Sequence, residues 1–145
     1  PLRRQRQMCI RDRTYVPDAD ELRLFVAEYA EELRHSNAWK ADPAGEARKL
    51  VESWVRSYGK EGQLHLYRAV GCDKCGGTGY KGRVGLHELL VSDDAVKKLI
   101  QERARVAELF AQAVESGMRT LKMDGMEKIL MGLTDIKMVR QVCIK

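Results

Sequence analysis

The stretch VGCDKCGGTGYKGRVGLHELL, from Val70 to Leu90, decides the fold of the middle of this chain. It places Cys72 and Cys75 in the C-x-x-C spacing inside a run rich in glycine. That spacing lets two thiolates face one metal ion, and it supplies half of a four-ligand zinc site. A redox-active pair usually lies at a helix N-terminus after a strand, which the glycine-rich run does not provide. The pattern therefore favours zinc.

The segments on either side of the cysteines have the character of strands. Residues 63–70 alternate weakly between polar and apolar side chains, and residues 83–91 form a second apolar stretch. We expect the two to pair as an antiparallel hairpin with the cysteine loop at its tip. The glycines of the loop permit positive φ and a close backbone approach, so both sulfurs should converge there.

The remainder of the chain has helical periodicity. A first helix is predicted from Asp18 to about 35–37, and a second from Asp42, as N-cap, to Gly59. After residue 91, Asp93 and Thr134 are predicted caps of further helices. The predicted fold class is α+β and mostly helical. It has a small zinc-ribbon-like β-hairpin with a two-helix insertion (14–91), followed by a helical C-terminal domain (92–145).

Composition and charge limit the possible functions. The chain has 145 residues, a net charge of +5, and four cysteines, which are too few and too scattered for a disulfide scaffold. Residues 1–13 contain five arginines and one aspartate, which leaves 21 basic and 20 acidic residues in the rest. Positive charge confined to residues 1–13, with a nearly neutral remainder, argues against nucleic-acid binding, which usually needs a basic face on a folded module. Residues 1–13 lack periodicity and are predicted to be disordered or foreign to the fold.

No catalytic motif is present in the sequence. It contains no G-x-x-x-x-G-K-[ST] phosphate loop, no H-E-x-x-H and no G-x-S-x-G. We therefore predict no catalytic residues, no nucleotide site and no enzymatic activity for this stretch of chain.

A zinc site at Cys72 and Cys75 needs two further ligands. His65 and His87 lie in the predicted strands, where a histidine is more often a surface residue than a ligand. Cys143 lies on the apolar side of the last helix. Cys9 begins the sequence CIRD, in which Asp12 stands where a second cysteine would complete another C-x-x-C pair. Aspartate can bind zinc but is rare in structural sites.

Two motifs resemble one known family, the ATPases of type II secretion and type IV pilus assembly. In that family a C-x-x-C pair is followed by T-G-Y-x-G-R-x-G and a glutamate, as in residues 72–88 here. The stretch SGMRTLKMDGMEKILMGLTDIKMVRQV, residues 116–142, is similar to the family's closing helices. The resemblance extends over about residues 62–143.

The resemblance implies a zinc module built from two C-x-x-C pairs with a segment of variable length between them. The first pair is often followed by Y-x-P-D, which occurs here as Tyr15–Asp18. Cys9 and Asp12 then fall near the first pair, with Asp12 breaking it, and the 59 residues between Asp12 and Cys72 form the variable segment. The stretch RQRQMCIRDR also resembles translated adapter sequence, in which case Cys9 matches by chance.

The resemblance also implies a parent protein and its setting. Members of the family form cytoplasmic hexamers peripheral to the inner membrane, contact a membrane platform protein, and use ATP and Mg²⁺ to drive pilin or pseudopilin assembly. We expect this chain to be a C-terminal fragment that lacks the nucleotide-binding core. Two alternatives are a free-standing zinc-ribbon adaptor and a DnaJ-like zinc module, of which CDKCGGTG provides a single repeat where those chaperones carry several.

Overall fold

The computed structural model describes residues 14–143 and the backbone of residues 3–8. The described part is mostly helical, with two small two-stranded sheets. The strands are β1 (Arg3–Met8), β2 (Thr14–Tyr15), β3 (Leu66–Tyr67) and β4 (Tyr80–Leu86). The helices are α1 (Ala19–Tyr29), α2 (Asn37–Ala41), α3 (Pro43–Tyr58), α4 (Asp94–Gln101), α5 (Val106–Glu115), α6 (Leu121–Leu130) and α7 (Ile136–Val142). The predicted α+β, mostly helical class is confirmed.

Helix boundaries follow the capping residues. The Asp42 carboxylate accepts the N–H of Gly45 at 2.9 Å and starts α3, and Asp93 accepts the N–H of Val96 at 2.8 Å and starts α4. Both caps agree with the sequence prediction. The prediction that Thr134 caps the last helix is wrong, because Asp135 caps α7 and Thr134 is fully buried.

The first helix is also shorter than predicted. α1 ends at Tyr29, and a separate 3₁₀ turn follows at Leu33–His35. The apolar periodicity continues across the break because Leu33 still packs against the core. Periodicity of this kind does not locate a helix end when it carries on into the next turn.

The strands pair differently from the predicted hairpin. β3 is hydrogen-bonded to β2, and β4 is hydrogen-bonded to β1, both antiparallel. The two segments that flank the cysteine loop are therefore not paired with each other. Alternation in a sequence specifies which residues are extended, but not which strand lies beside them. Arg3–Met8, within the segment predicted to be disordered or foreign to the fold, is the strand partner of β4 through backbone hydrogen bonds that need no side-chain pattern.

One main core joins the insertion to the C-terminal helices. Trp54 of α3 packs edge-on against Phe25 and Tyr29 of α1, with ring centroids 5.6 and 4.9 Å apart. The same cluster contains Met126 and Val139, which are fully buried in α6 and α7. The core therefore crosses the predicted boundary between residues 91 and 92, although that domain division itself stays a prediction. Within the described residues, no helix is long and apolar enough to cross a bilayer.

Candidate metal centre

Cys72 and Cys75 lie in the loop that leads from β3 to β4. A 3₁₀ turn at Asp73–Cys75 folds the chain back and brings the two sulfurs to 3.6 Å. This distance is far longer than a disulfide bond, which is about 2.05 Å. Two sulfurs bound to one tetrahedral zinc at about 2.3 Å would lie about 3.8 Å apart. The predicted convergence of the sulfurs is thus confirmed, and their spacing fits a shared zinc ion.

Backbone N–H groups surround the Cys75 sulfur. The N–H groups of Cys72 and Gly79 approach it at 3.2 and 3.1 Å. Hydrogen bonds donated to a sulfur help to orient it as a metal ligand. The same sulfur also lies 3.3 Å from the carbonyl oxygen of Cys72. Both cysteines are half-buried, so the sulfurs are partly shielded yet remain accessible to an ion.

Two glycines make this loop possible. Gly79 has φ of +80°, and a Cβ there would lie 3.0 Å from the Cβ of Ala69. Gly71 packs so tightly that a Cβ would lie 2.1 Å from the carbonyl oxygen of Gly77. A side chain at either position would displace the turn that brings the sulfurs together.

The other two predicted ligands, Cys9 and Asp12, lie outside the described residues.

The histidines considered from the sequence are engaged elsewhere. Nδ1 of His65 is 3.2 Å from the carbonyl oxygen of Gln63, and Nδ1 of His87 is 3.7 Å from Asp124. Cys143 packs against the main core. Across residues 14–143, no group of three or more His, Cys, Asp or Glu side chains is placed to hold a metal.

The residues that follow the cysteine loop attach it to the C-terminal helices. The hydroxyl of Tyr80 donates to a carboxylate oxygen of Asp135 at the start of α7. Burial, reinforced by this hydrogen bond, raises the pKa of the Tyr80 phenol. Farther along, Glu88 accepts the N–H of Leu121 at 2.9 Å at the start of α6. The sequence marked Tyr80 and Glu88 as motif residues, but gave no sign of these partners.

Two glycines, one in α6 and one in the turn that follows it, allow close packing at the C-terminal helices. Gly132 has φ of +71°, and a Cβ there would lie 2.8 Å from the ring of Tyr67 in β3. Gly125 in α6 faces α7, where a Cβ would lie 2.9 Å from Cγ1 of Val139. β3 is therefore packed closely against the turn that follows α6, and α6 is packed closely against α7.

Comparison with known proteins identifies the family. The model of the Type II/IV secretion system protein family matches residues 39–141. The chain belongs to this family. The match includes Cys72 and Cys75, the Tyr80–Asp135 contact and all of α3 to α6.

Several curated relatives are similar to this chain. The type IV pilus assembly ATPase PilB of Thermus thermophilus is 46% identical over 74 residues, which are 51% of this chain and 8% of the relative. The type II secretion system ATPase E of Vibrio cholerae is 41% identical over 101 residues, which are 67% of this chain and 18% of the relative. The type IV pilus assembly ATPase TfpB of Acinetobacter baylyi is 39% identical over 77 residues, which are 53% of this chain and 13% of the relative. The matched region thus spans less than a fifth of each of these relatives.

Proposed function

We propose that this chain is the zinc-binding C-terminal part of an ATPase that powers pilin or pseudopilin assembly and protein secretion. The observation that carries the proposal is the 3.6 Å approach of the Cys72 and Cys75 sulfurs, inside a region similar to ATPases of secretion and pilus assembly. A bound zinc ion would supply a structural cross-link, since such sites stabilise small modules that lack a large core.

The remaining ligands of this zinc are proposed to be Cys9 and Asp12. Strand register supports them. Met8, at the end of β1, pairs with Tyr80, and Thr14, at the start of β2, pairs with Tyr67. In the sequence, residues 9–13 lie between β1 and β2, whose ends pair with the two strand ends that the loop with Cys72 and Cys75 connects.

The wider setting is part of the same proposal. The parent protein would be a cytoplasmic hexamer that binds ATP and Mg²⁺ in another part of its sequence and meets a platform protein at the inner membrane. Within it, this chain would help shape the ring. The present sequence has no phosphate-binding loop, so we expect it neither to bind nor to hydrolyse ATP.

Two titrations test this function. In competition with a chromophoric chelator, the chain should bind one zinc ion, and the Cys72→Ser/Cys75→Ser variant should bind none. The matched control is Cys143→Ser, which should bind zinc like the wild type because Cys143 lies in the core. Calorimetry with Mg-ATP should show no saturable heat. Zinc binding that survives loss of Cys72 and Cys75, or micromolar ATP binding, would overturn the proposal.

A further inference from the structure

Asp135 makes two hydrogen bonds that point in different directions. Its Oδ1 accepts the N–H of Met138 at 3.0 Å and so caps α7. Its Oδ2 accepts the hydroxyl of Tyr80. Tyr80 directly follows Gly79, whose N–H donates to the Cys75 sulfur at 3.1 Å. A short chain of contacts thus runs from a predicted metal ligand to the first turn of a helix.

We propose that Tyr80 and Asp135 couple the cysteine loop to α7, so that a metal ion at Cys72 and Cys75 and the first turn of α7 stabilise each other. In this account Tyr80 is a positioning residue for the metal site, since it touches neither sulfur. The proposal rests on the proposed zinc function, and it adds a route by which zinc acts on the C-terminal helices.

The loop end of this route is fixed by local contacts. The Thr78 hydroxyl donates to the carbonyl oxygen of Cys75 at 2.8 Å. The hydroxyl oxygen also lies 3.1 Å from the carbonyl oxygen of Tyr80. Gly79 is buried. These contacts restrain the backbone between Cys75 and Tyr80, so we expect a shift of the Cys75 sulfur to be transmitted to Tyr80.

The helix end of the route is sensitive to its cap. α7 has only seven residues, so it contains few hydrogen bonds of its own and depends on tertiary contacts and capping. Its buried contact is Val139, which is fully enclosed by the core. Its outer contact is Arg140, which binds Glu28 of α1 through two hydrogen bonds of 3.2 and 2.9 Å. A change at the Asp135 cap that displaces α7 would therefore also disturb the contact of Arg140 with Glu28 in the insertion.

Coupling of this kind is reciprocal. If zinc stabilises the first turn of α7, loss of the cap must lower zinc affinity by the same factor. Couplings between sites typically change affinity by about fivefold or more. A purely structural role for the Asp135 cap would instead lower stability and leave zinc affinity unchanged.

The first experiment compares two capping aspartates. Asp135→Ala removes the α7 cap together with its link to Tyr80, whereas Asp93→Ala removes a cap of the same geometry on α4 that has no contact with the loop. We expect Asp135→Ala and Tyr80→Phe to weaken zinc binding by about fivefold or more, and Asp93→Ala to leave it unchanged. Asp135→Asn keeps one oxygen for the cap, and its amide N–H can donate to the Tyr80 hydroxyl, so this variant should retain most of the affinity.

The second experiment follows α7 directly by hydrogen exchange. In the wild type, saturating zinc should slow exchange of the Met138 and Val139 amides by about fivefold or more. In Tyr80→Phe, saturating zinc should no longer slow these amides. Equal zinc protection of α7 in both proteins would overturn the coupling, as would equal zinc affinities of Asp135→Ala and Asp93→Ala.

A third measurement separates this inference from the zinc proposal. If the wild-type chain binds no zinc, the proposed metal centre fails, and the coupling is judged in the metal-free chain. Gly79→Ala strains the loop, whereas Gly62→Ala adds a Cβ to open space at a similar positive φ and serves as its control. Gly79→Ala should speed Met138 exchange, and its effect should be smaller when Tyr80 is already phenylalanine. Independent, additive effects of Gly79→Ala and Tyr80→Phe would reject the coupling.

Discussion

The hydroxyl of Tyr29 in α1 donates a 2.7 Å hydrogen bond to Glu127 in α6. Glu127 is only 8% exposed, and its second oxygen accepts a bond of 3.0 Å from Arg119. A buried carboxylate is tolerated only where donors satisfy it. This pair therefore locks the helical insertion to the C-terminal helices, and both belong to one packed unit.

Loss of the Tyr29 hydroxyl should destabilise the protein. Tyr29→Phe keeps the ring contact with Trp54 but leaves one oxygen of the buried Glu127 without its donor. We expect a loss of about 1–3 kcal/mol in the free energy of unfolding, measured by urea denaturation. The control is Tyr58→Phe, since Tyr58 packs against the same core but lies partly at the surface. Equal losses in the two variants would contradict the role given to the hydrogen bond.

Gly125 should be required for the approach of α6 to α7. A Cβ there would lie 2.9 and 3.2 Å from the two methyl groups of Val139. Gly125→Ala should therefore lower the melting temperature through overpacking, which costs about 1–3 kcal/mol, despite the better helix propensity of alanine. In the Val139→Ala background the same substitution should be far less harmful. An equal loss of melting temperature in both backgrounds would mean that contact with Val139 does not cause the effect.

Glu28 should make stability depend on pH. Burial acts to raise the pKa of this carboxyl, but hydrogen bonding and charge from Arg140, with help from Lys122, outweigh burial and lower the pKa. A lowered pKa in the folded state stabilises the fold above the unfolded pKa, about 4.3, and this contribution is lost as pH falls through the folded value. Thermal unfolding should show a deficit for Glu28→Gln at pH 7 that shrinks towards pH 3.

The matched control for this pH dependence is Asp94→Asn, because Asp94 pairs with Lys97 at a fully exposed site. Its melting temperature should follow the wild type across the whole pH range, since exposed pairs contribute little. A Glu28→Gln deficit that stayed constant with pH would mean that lost packing, and not lost charge, causes it.

The parts of the fold that depend on neighbouring residues were predictable from the sequence. Asp42 and Asp93 cap helices because a short polar side chain reaches an N–H three residues ahead. The C-x-x-C spacing within a glycine-rich turn brings two sulfurs together. The sequence predicted Thr134 as the cap of α7, but the adjacent residue Asp135 caps it, because both residue types are good N-caps. The partners of β3 and β4 were not predictable, since strand pairing depends on tertiary packing.

In the candidate site, too, features set by neighbouring residues were predictable and long-range contacts were not. Cys72 and Cys75 were identified from their spacing and glycine context. The contacts of Tyr80 with Asp135 and of Glu88 with α6 join residues 55 and 33 positions apart, and no local pattern encodes such pairs. Only the folded chain shows that motif residues next to the cysteines hold the C-terminal helices.

Asp12 should weaken the proposed metal centre. A carboxylate oxygen is a harder ligand than a thiolate, so three sulfurs and one oxygen should bind zinc less tightly than four sulfurs. Asp12→Cys should therefore raise both zinc affinity and melting temperature, and the gain in melting temperature should vanish with chelator, because zinc binding is coupled to folding. No change in zinc competition would remove Cys9 and Asp12 from the ligand set.

The most direct test of the central claim is X-ray absorption at the zinc edge of the loaded chain. We expect one zinc per chain, bound by three sulfurs at about 2.3 Å and one oxygen at about 2.0–2.2 Å. Cys72→Ser/Cys75→Ser should bind no zinc, so the signal of the bound ion should be absent from this variant. A zinc shell without sulfur, or a chain that binds no zinc at all, would contradict the account.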